Sequence, residues 1–157
     1  MDAITLLRKD HQKVKELFGE VERAEDPKKR KELFDQIMTE LTVHERIEEE
    51  IFYPAVEKRA RTKEVKEMMI ESYLEHGFVD RIAADVLATK PDDETWKAKV
   101  KIMKEQLEHH AFEEEEEKLF PKVEEMFSKE ELADLGTEMG DLKDEALEEL
   151  EEAGAKT

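Results

Sequence analysis

Two related blocks of the sequence place histidine close to several carboxylates. The first block runs from His44 to Pro54 and the second from His109 to Pro121, and each closes with two bulky residues before the proline. The chain contains no cysteine, so the ligands of a metal site must come from His, Asp or Glu. Imidazole and carboxylate groups together suit divalent first-row metals such as iron. The two blocks therefore predict metal chemistry.

The first block belongs to a predicted amphipathic helix that carries His44 and Glu48 on its apolar face. The two residues are four apart, so both project from one side of a helix. Steps of three and four connect them with the apolar residues Leu33, Ile37, Leu41, Ile51 and Ala55. An ionised carboxylate buried without a partner is costly, so proteins pair it, protonate it or bind it to a metal. We therefore expect a cation beside Glu48.

Four predicted helices each carry one histidine on the inward face. The helices begin at recognisable signals, which in chain order are Asp2, Asp26-Pro27, Thr62 and the break at Pro91-Asp92-Asp93. The inward histidines are His11, His44, His76 and His110. A lone histidine on such a stripe is more often a hydrogen-bonded core residue than a ligand. Four of them on four helices, with glutamates about one turn after two of them, favour a metal site.

Two further features near these histidines receive structural interpretations. Gly77, directly after His76, lies within a predicted helix, and we interpret it as a point where a neighbouring helix or ligand approaches closely. The bulky pairs before the two prolines, Phe52-Tyr53 and Leu119-Phe120, are interpreted as core residues. The second helix is expected to reach about Ala60, with a bend or interruption at Pro54.

Composition and charge restrict the class of protein. The 157 residues are 38% hydrophobic and 45% charged, which predicts a single, all-α and heavily solvated domain. A net charge of −18 repels phosphate backbones and anionic membranes, so no nucleic-acid or membrane partner is expected. The N-terminus lacks the features of a secretory signal and no apolar run of 18 residues exists, which predicts a cytoplasmic protein.

The C-terminal part is predicted to be a separate amphipathic extension. Ser128 and Glu131 form a capping box, so a short helix should begin after Phe127. A last amphipathic segment should follow Gly136 and Gly140, with fraying after about residue 152 and an acidic tail. We therefore divide the chain into a bundle at 1–127 and an extension at 128–157, which should pack outside the bundle and be dispensable to the metal site.

The two blocks resemble those of the hemerythrin-like, HHE cation-binding family, over about residues 1–127. The resemblance implies an antiparallel up-down four-helix bundle that holds two non-haem irons. It implies as metal ligands His11, His44, Glu48, His76, His110 and one glutamate of the fourth helix. Hemerythrins proper carry two histidines four apart on the third helix, whereas Ser72 and Asp80 stand at that spacing from His76. One metal is therefore expected to keep an open or carboxylate-filled position.

The glutamate of the fourth helix is either Glu114 or Glu115. The apolar stripe that ends at His110 continues regularly to Glu114, but Glu115 lies six residues before Pro121, as Glu48 does before Pro54. One extra residue in the second block would be accommodated as a π-bulge, a feature common at functional sites. With this bulge Glu115 is the bridging ligand and Glu114 its neighbour, and a straight helix would reverse the two.

Other metalloprotein classes fit the sequence less well. A ferritin-type di-iron site requires Glu-x-x-His, but the residues three before the histidines are Arg8, Leu41, Tyr73, Gln106 and Leu107. A zinc peptidase requires His-Glu-x-x-His, and the last position is Glu48 instead. The resemblance implies binding of iron and of a small ligand such as O₂, peroxide or NO, for sensing, storage or detoxification. An enzyme that consumes peroxide or O₂, and a bundle that binds another divalent metal for structure, remain open alternatives.

Overall fold

A computed structural model describes residues 1–155, which form helices and short connections and contain no strand. In chain order the helices are α1 (Ala3–Arg23), α2 (Pro27–Ile47), α3 (Tyr53–Arg59), α4 (Lys63–Leu87), α5 (Trp96–Glu108), α6 (Phe120–Met126) and α7 (Lys129–Ala155). Two π-helical segments join helices end to end: π1 (Glu48–Phe52) connects α2 to α3, and π2 (His109–Leu119) connects α5 to α6. The predicted all-α class is confirmed.

Four helix starts lie where the sequence predicts them, because a polar side chain caps each one. The capping oxygen accepts a hydrogen bond from a backbone N–H two or three residues further on, in each of Asp2, Asp26, Thr62 and Ser128. Glu131 also accepts a hydrogen bond from the Ser128 N–H, which completes the predicted capping box. Local sequence therefore determines where these helices begin.

The helices pack as an antiparallel bundle of four rods, formed by α1, by α2 with α3, by α4, and by α5 with α6. The start of α1 packs with the end of the second rod, and the end of α1 packs with the start of α2. These contacts define two separate hydrophobic clusters at opposite ends of the bundle. One is built around Phe52, Tyr53 and Phe120, the other around Phe18, Phe34 and Trp96. The predicted metal ligands lie in the layer between the two clusters.

The C-terminal region forms one continuous helix, which corrects the prediction of a short helix and a separate last segment. Gly136 and Gly140 lie inside α7, and the helix continues past position 152 to Ala155, while the final residues 156–157 lie outside the described part of the chain. A Cβ atom at Gly136 would stand 2.1 Å from the carbonyl oxygen of Met1, so glycine allows the N-terminal backbone to cross α7 closely. Met139 is fully buried against the bundle.

Gly77 does not mark a close approach, so that interpretation is wrong. A Cβ atom at this position would meet no atom within 4 Å.

Among the helices within residues 1–155, none combines the length and the apolar character needed to cross a membrane.

Candidate metal centre

A layer of buried polar side chains separates the two hydrophobic clusters. It contains one histidine from α1, α2 and α4, one from π2, and one glutamate from each π segment, and all six are at most 6% exposed: His11, His44, His76, His110, Glu48 and Glu115. Both glutamates are completely inaccessible to solvent. The structure thus brings together all the predicted ligands except Glu114.

The two π segments set the direction of the two glutamates. The backbone N–H of Tyr53 donates to the carbonyl of Glu48, five residues earlier, and the N–H of Phe120 donates in the same way to the carbonyl of Glu115. Both donors directly precede a proline, whose ring has no N–H and clashes with the carbonyl four residues before it. In both blocks the glutamate whose carbonyl accepts this bond stands six residues before the proline, and the wider π turn accommodates the proline. The π-bulge predicted in the second block is present, and the first block has a shorter one that was not predicted.

The first half of the centre contains four ligand groups. Potential ligand atoms of His11, His44, Glu48 and Glu115 all lie within 4.8 Å of one another. Nε2 of His11 is 3.1 Å from Oε1 of Glu115, and Nε2 of His44 is 3.2 Å from Oε1 of Glu48. Two imidazoles and two carboxylates therefore converge on one point.

The second half contains the other two histidines and shares the glutamates with the first. Nε2 of His76 is 3.1 Å from Oε1 of Glu48, and Nε2 of His110 is 3.6 Å from Oε2 of Glu115. Ligand atoms of His76, His110 and Glu48 again lie within 4.8 Å of one another. Each carboxylate thus contacts one histidine of each half, which is the arrangement that a bridging ligand requires.

Tyr53 is a core residue, as expected, and its hydroxyl also reaches the second half of the centre. Its hydroxyl donates to Oε2 of Glu115 at 2.6 Å and lies 3.2 Å from Nε2 of both His76 and His110. A phenol hydroxyl therefore lies among the polar groups of this half. Phe120, which stands before the other proline, stacks on the ring of His11 at 6.0 Å and has no hydroxyl. A tyrosine precedes the first proline, whereas a phenylalanine stands at the equivalent position before the second. This difference between the two blocks is the sequence signal that could have revealed the role of Tyr53.

Acceptors behind the histidines fix the orientation of three imidazole rings. Nδ1 of His11 is 2.7 Å from Glu116, Nδ1 of His44 is 2.9 Å from Asp10, and Nδ1 of His110 is 3.0 Å from Glu75. These contacts leave the three Nε2 atoms directed at the glutamates, as metal-binding histidines require. None of these acceptors was identified from the sequence.

The C-terminal helix contacts one of these acceptors. Lys143 of α7 donates to Oδ1 of Asp10 at 2.7 Å, while the other oxygen of Asp10 contacts His44. Burial opposes ionisation of Asp10, but His44 and Lys143 hold its pKa below the ordinary value. An ammonium group on the outer helix therefore keeps this acceptor negatively charged.

Two other residues of the second block lie outside the centre. Glu114 accepts a hydrogen bond from Lys118 at 3.1 Å and belongs to none of the ligand groups. His109 is half-exposed and contacts Glu113 at 2.8 Å. Of the two candidate glutamates, Glu115 faces the buried histidines and Glu114 faces the surface.

The buried polar atoms of the layer fit a cation. In the described part of the chain, five buried side-chain atoms lack a hydrogen-bond partner: Nε2 of His11, Oε2 of Glu48, Oε1 of Glu115, Oε1 of Glu45 and Nδ1 of His76. The first three lie between the two π segments. A buried polar atom without a partner costs about 1–3 kcal/mol, and a metal bound by nitrogen and oxygen ligands would remove this cost.

In the metal-free chain, protons supply the positive charge. Burial alone would lower the pKa of His44, but Glu48 and Asp10 outweigh it and hold this pKa well above its ordinary value. Burial also opposes the charge on His11, and the Glu115 carboxylate raises its pKa. Burial would raise the pKa of Glu48, yet His44 and its neighbours hold it well below the ordinary range. A metal would therefore replace protons on the histidines when it binds.

The fold and the site together define a helical protein with a buried cation-binding centre. The sequence model of the family described as the hemerythrin HHE cation-binding domain matches residues 2–123. The chain therefore belongs to this family, as the resemblance of the two blocks implied.

Two similar proteins provide further comparisons. The chain matches the crystal structure of a hemerythrin HHE cation binding domain-containing protein, an Rv2633c homologue from Mycobacterium kansasii, with a TM-score of 0.82 and 26% identity. The match covers 95% of this chain and 89% of that one. The chain is also 29% identical over 150 residues to a protein named DNA nickase from Nostoc sp. (strain PCC 7120 / SAG 25.82 / UTEX 2576). This match covers 96% of the chain but only 41% of the Nostoc protein.

The position of the glutamates predicts which variant loses metal. Changing Glu115 to Gln should strongly reduce the metal content of purified protein, because it removes a buried charged ligand. Glu114→Gln is the matched control and should keep the wild-type content, because its carboxylate pairs with Lys118. The measurement is metal content by mass spectrometry. Loss confined to the Glu114 variant would contradict the assignment.

The raised pKa values predict how the stability of the metal-free chain depends on pH. Burial would lower the pKa of His76, but Glu48 raises it to about 9, while burial and Asp80 raise the pKa of Glu45 to about 9. Below the pKa values of the unfolded chain, 6.5 for His76 and 4.5 for Glu45, binding of these two protons stabilises the folded chain in full. This stabilisation is lost as the pH rises towards the folded-state pKa values of about 9. The melting temperature in chelator, followed by circular dichroism, should therefore fall between pH 6.5 and 9.

Metal-loaded protein is the control for this pH series. Its histidines have already given up their protons, so its melting temperature should fall less over the same range. A metal-free chain whose melting temperature stays constant or rises would show that the histidines carry no extra protons.

Proposed function

We propose that this protein holds two non-haem irons and binds a small diatomic ligand, O₂ or NO, beside them. The observation that carries the proposal is a cavity of about 40 Å³ next to the centre. A cavity of this size has room for a small molecule of a few heavy atoms.

The lining of the cavity suits a ligand that binds a metal at one end. All four inward histidines border it, namely His11, His44, His76 and His110. Much of the rest of the wall is apolar and consists of Val14, Phe18, Leu41, Leu107 and Ala111. Apolar walls exclude water and favour an uncharged ligand such as O₂ or NO.

The two halves would offer different ligands to the two irons. His11 and His44 would bind on one side, and His76 and His110 on the other, while Glu48 and Glu115 reach both sides. Iron in such a setting supplies the capacity to bind O₂, peroxide or NO and to exchange electrons with them. The hydroxyl of Tyr53 lies against the second pair of histidines and would add a phenol to that side alone.

An enzyme that consumes peroxide or O₂ at the same centre is the second candidate function. The observation in its favour is the O–H of Tyr53, which is 2.6 Å from Glu115 and is placed to donate a proton inside the centre. Steady-state consumption of peroxide by the iron-loaded protein separates this candidate from reversible binding. A purely structural metal is disfavoured, because structural sites are closed and this centre borders a cavity.

DNA nicking is not carried over from the Nostoc relative. The chain spans 41% of that protein's length, and its net charge of −18 opposes binding to a phosphate backbone.

Filling the cavity tests the proposal. Val14→Phe places a larger side chain in the cavity wall and takes up the space for a ligand. We therefore expect NO binding to weaken about tenfold or more, with unchanged iron content. Val14→Ala, which enlarges the cavity, is the matched control and should bind NO as the wild type does. The measurements are iron content by mass spectrometry and NO titration followed by optical absorption.

Two results would contradict the proposal. Wild-type protein without iron after loading would exclude the centre, and equal NO affinity in the phenylalanine variant would exclude the cavity as the binding position.

A further inference from the structure

A second group of potential metal ligands lies outside the buried centre, on the far side of the His76 ring. It consists of Glu45, Glu49 and Nδ1 of His76, and one ligand atom from each lies within 4.8 Å of the others. The two glutamates are four residues apart, at the junction of α2 and π1, and face α4. His76 thus has its Nε2 in the buried centre and its Nδ1 in this outer group.

Nδ1 of His76 differs from the outer nitrogen of every other inward histidine. Those three have acceptors within 3.0 Å, whereas Nδ1 of His76 is buried without a hydrogen-bond partner and stands 3.5 Å from Oε2 of Glu49. The residue itself is only 4% exposed. Oε1 of Glu45 is also buried without a partner. Two of the five unpartnered buried atoms therefore meet in this outer group.

The orientation of the His76 ring makes this arrangement favourable for a cation. Nε2 is 3.1 Å from Oε1 of Glu48, at hydrogen-bond distance. Nδ1, on the opposite side of the ring, is directed at the carboxyl groups of Glu45 and Glu49. A divalent ion between these three groups would give the unpartnered buried atoms of Glu45 and His76 a partner. One imidazole nitrogen with two carboxylates suits divalent first-row metals.

The group connects solvent with the buried centre. The side chain of Glu49 is 41% exposed, whereas Glu45 is half-buried and borders the cavity beside the histidines. Asp80, which lies next to Glu45, adds a further carboxylate at the surface. An ion held here has water on one side and a histidine of the centre on the other.

We propose that Glu45, Glu49 and Nδ1 of His76 form an uptake site, where a divalent metal ion binds first before it moves to the buried centre. The inference rests on the centre holding metal, but not on which small ligand the centre binds. Because His76 belongs to both groups, an ion bound at its Nδ1 is separated from the buried centre by one imidazole ring.

The rate of metal uptake tests this proposal. Metal-free full-length protein is mixed with Co²⁺ alone in a stopped-flow instrument, and the absorption of bound Co²⁺ is followed at increasing Co²⁺ concentrations. The wild-type rate should reach a plateau, because the ion first binds at the uptake site and then transfers. The Glu45→Gln/Glu49→Gln variant should load about tenfold more slowly at low concentration, with a rate that stays proportional to concentration.

A matched control separates the site from general charge attraction. Glu16 and Glu20 have the same four-residue spacing on α1, and both are exposed on the surface. The Glu16→Gln/Glu20→Gln variant loses the same number of carboxyl groups and should load at the wild-type rate with the same plateau.

Each outcome of this comparison is decisive. The proposal is overturned if the Glu45/Glu49 variant loads as the control does. It is also overturned if that variant loads more slowly but still reaches a plateau, since the carboxylates would then only attract the ion. The final amount of bound Co²⁺ reports separately on the buried centre, and a wild-type chain that binds none would refute the function proposed above.

Discussion

Two completely buried glutamates are the constraint on which the structure of this protein depends. Glu48 and Glu115 lie in the middle of a bundle whose core is otherwise hydrophobic. An unpaired buried charge of this kind costs several kcal/mol. Four imidazoles and one phenol surround the two carboxylates, and each π segment places its glutamate within their reach. The bundle tolerates this polar layer because a cation, or protons in its absence, balances the charge.

The two halves of the centre are related by the repeat in the sequence, yet they are not equivalent. Each half has two histidines and shares both glutamates. Tyr53 contributes a hydroxyl to the half that contains His76, whereas Phe120 at the corresponding position only stacks on His11. The outer partners differ as well, since His76 alone among the inward histidines lacks an acceptor for Nδ1. The half with the phenol is thus also the half that faces the outer carboxylates.

Helical periodicity accounts for the parts of the centre that could be predicted from the sequence. The positions of His44 and Glu48 on one face follow from their spacing, and the offset of Glu115 from its proline indicated the π-bulge. The acceptors behind the histidines could not be predicted, because Asp10 and Lys143 meet only through the packing of α7 on α1. The role of Tyr53 was missed for a similar reason: the position of its hydroxyl depends on the rotation of α3 after the π turn.

Diffraction at the iron absorption edge, from crystals of protein loaded with iron in air, shows directly whether the centre holds two irons. We expect two anomalous peaks per chain between the π segments. One should lie within bonding distance of Nε2 of His11 and His44, and the other within bonding distance of Nε2 of His76 and His110 and of the Tyr53 oxygen. A single peak, or no peak between Glu48 and Glu115, would contradict this expectation.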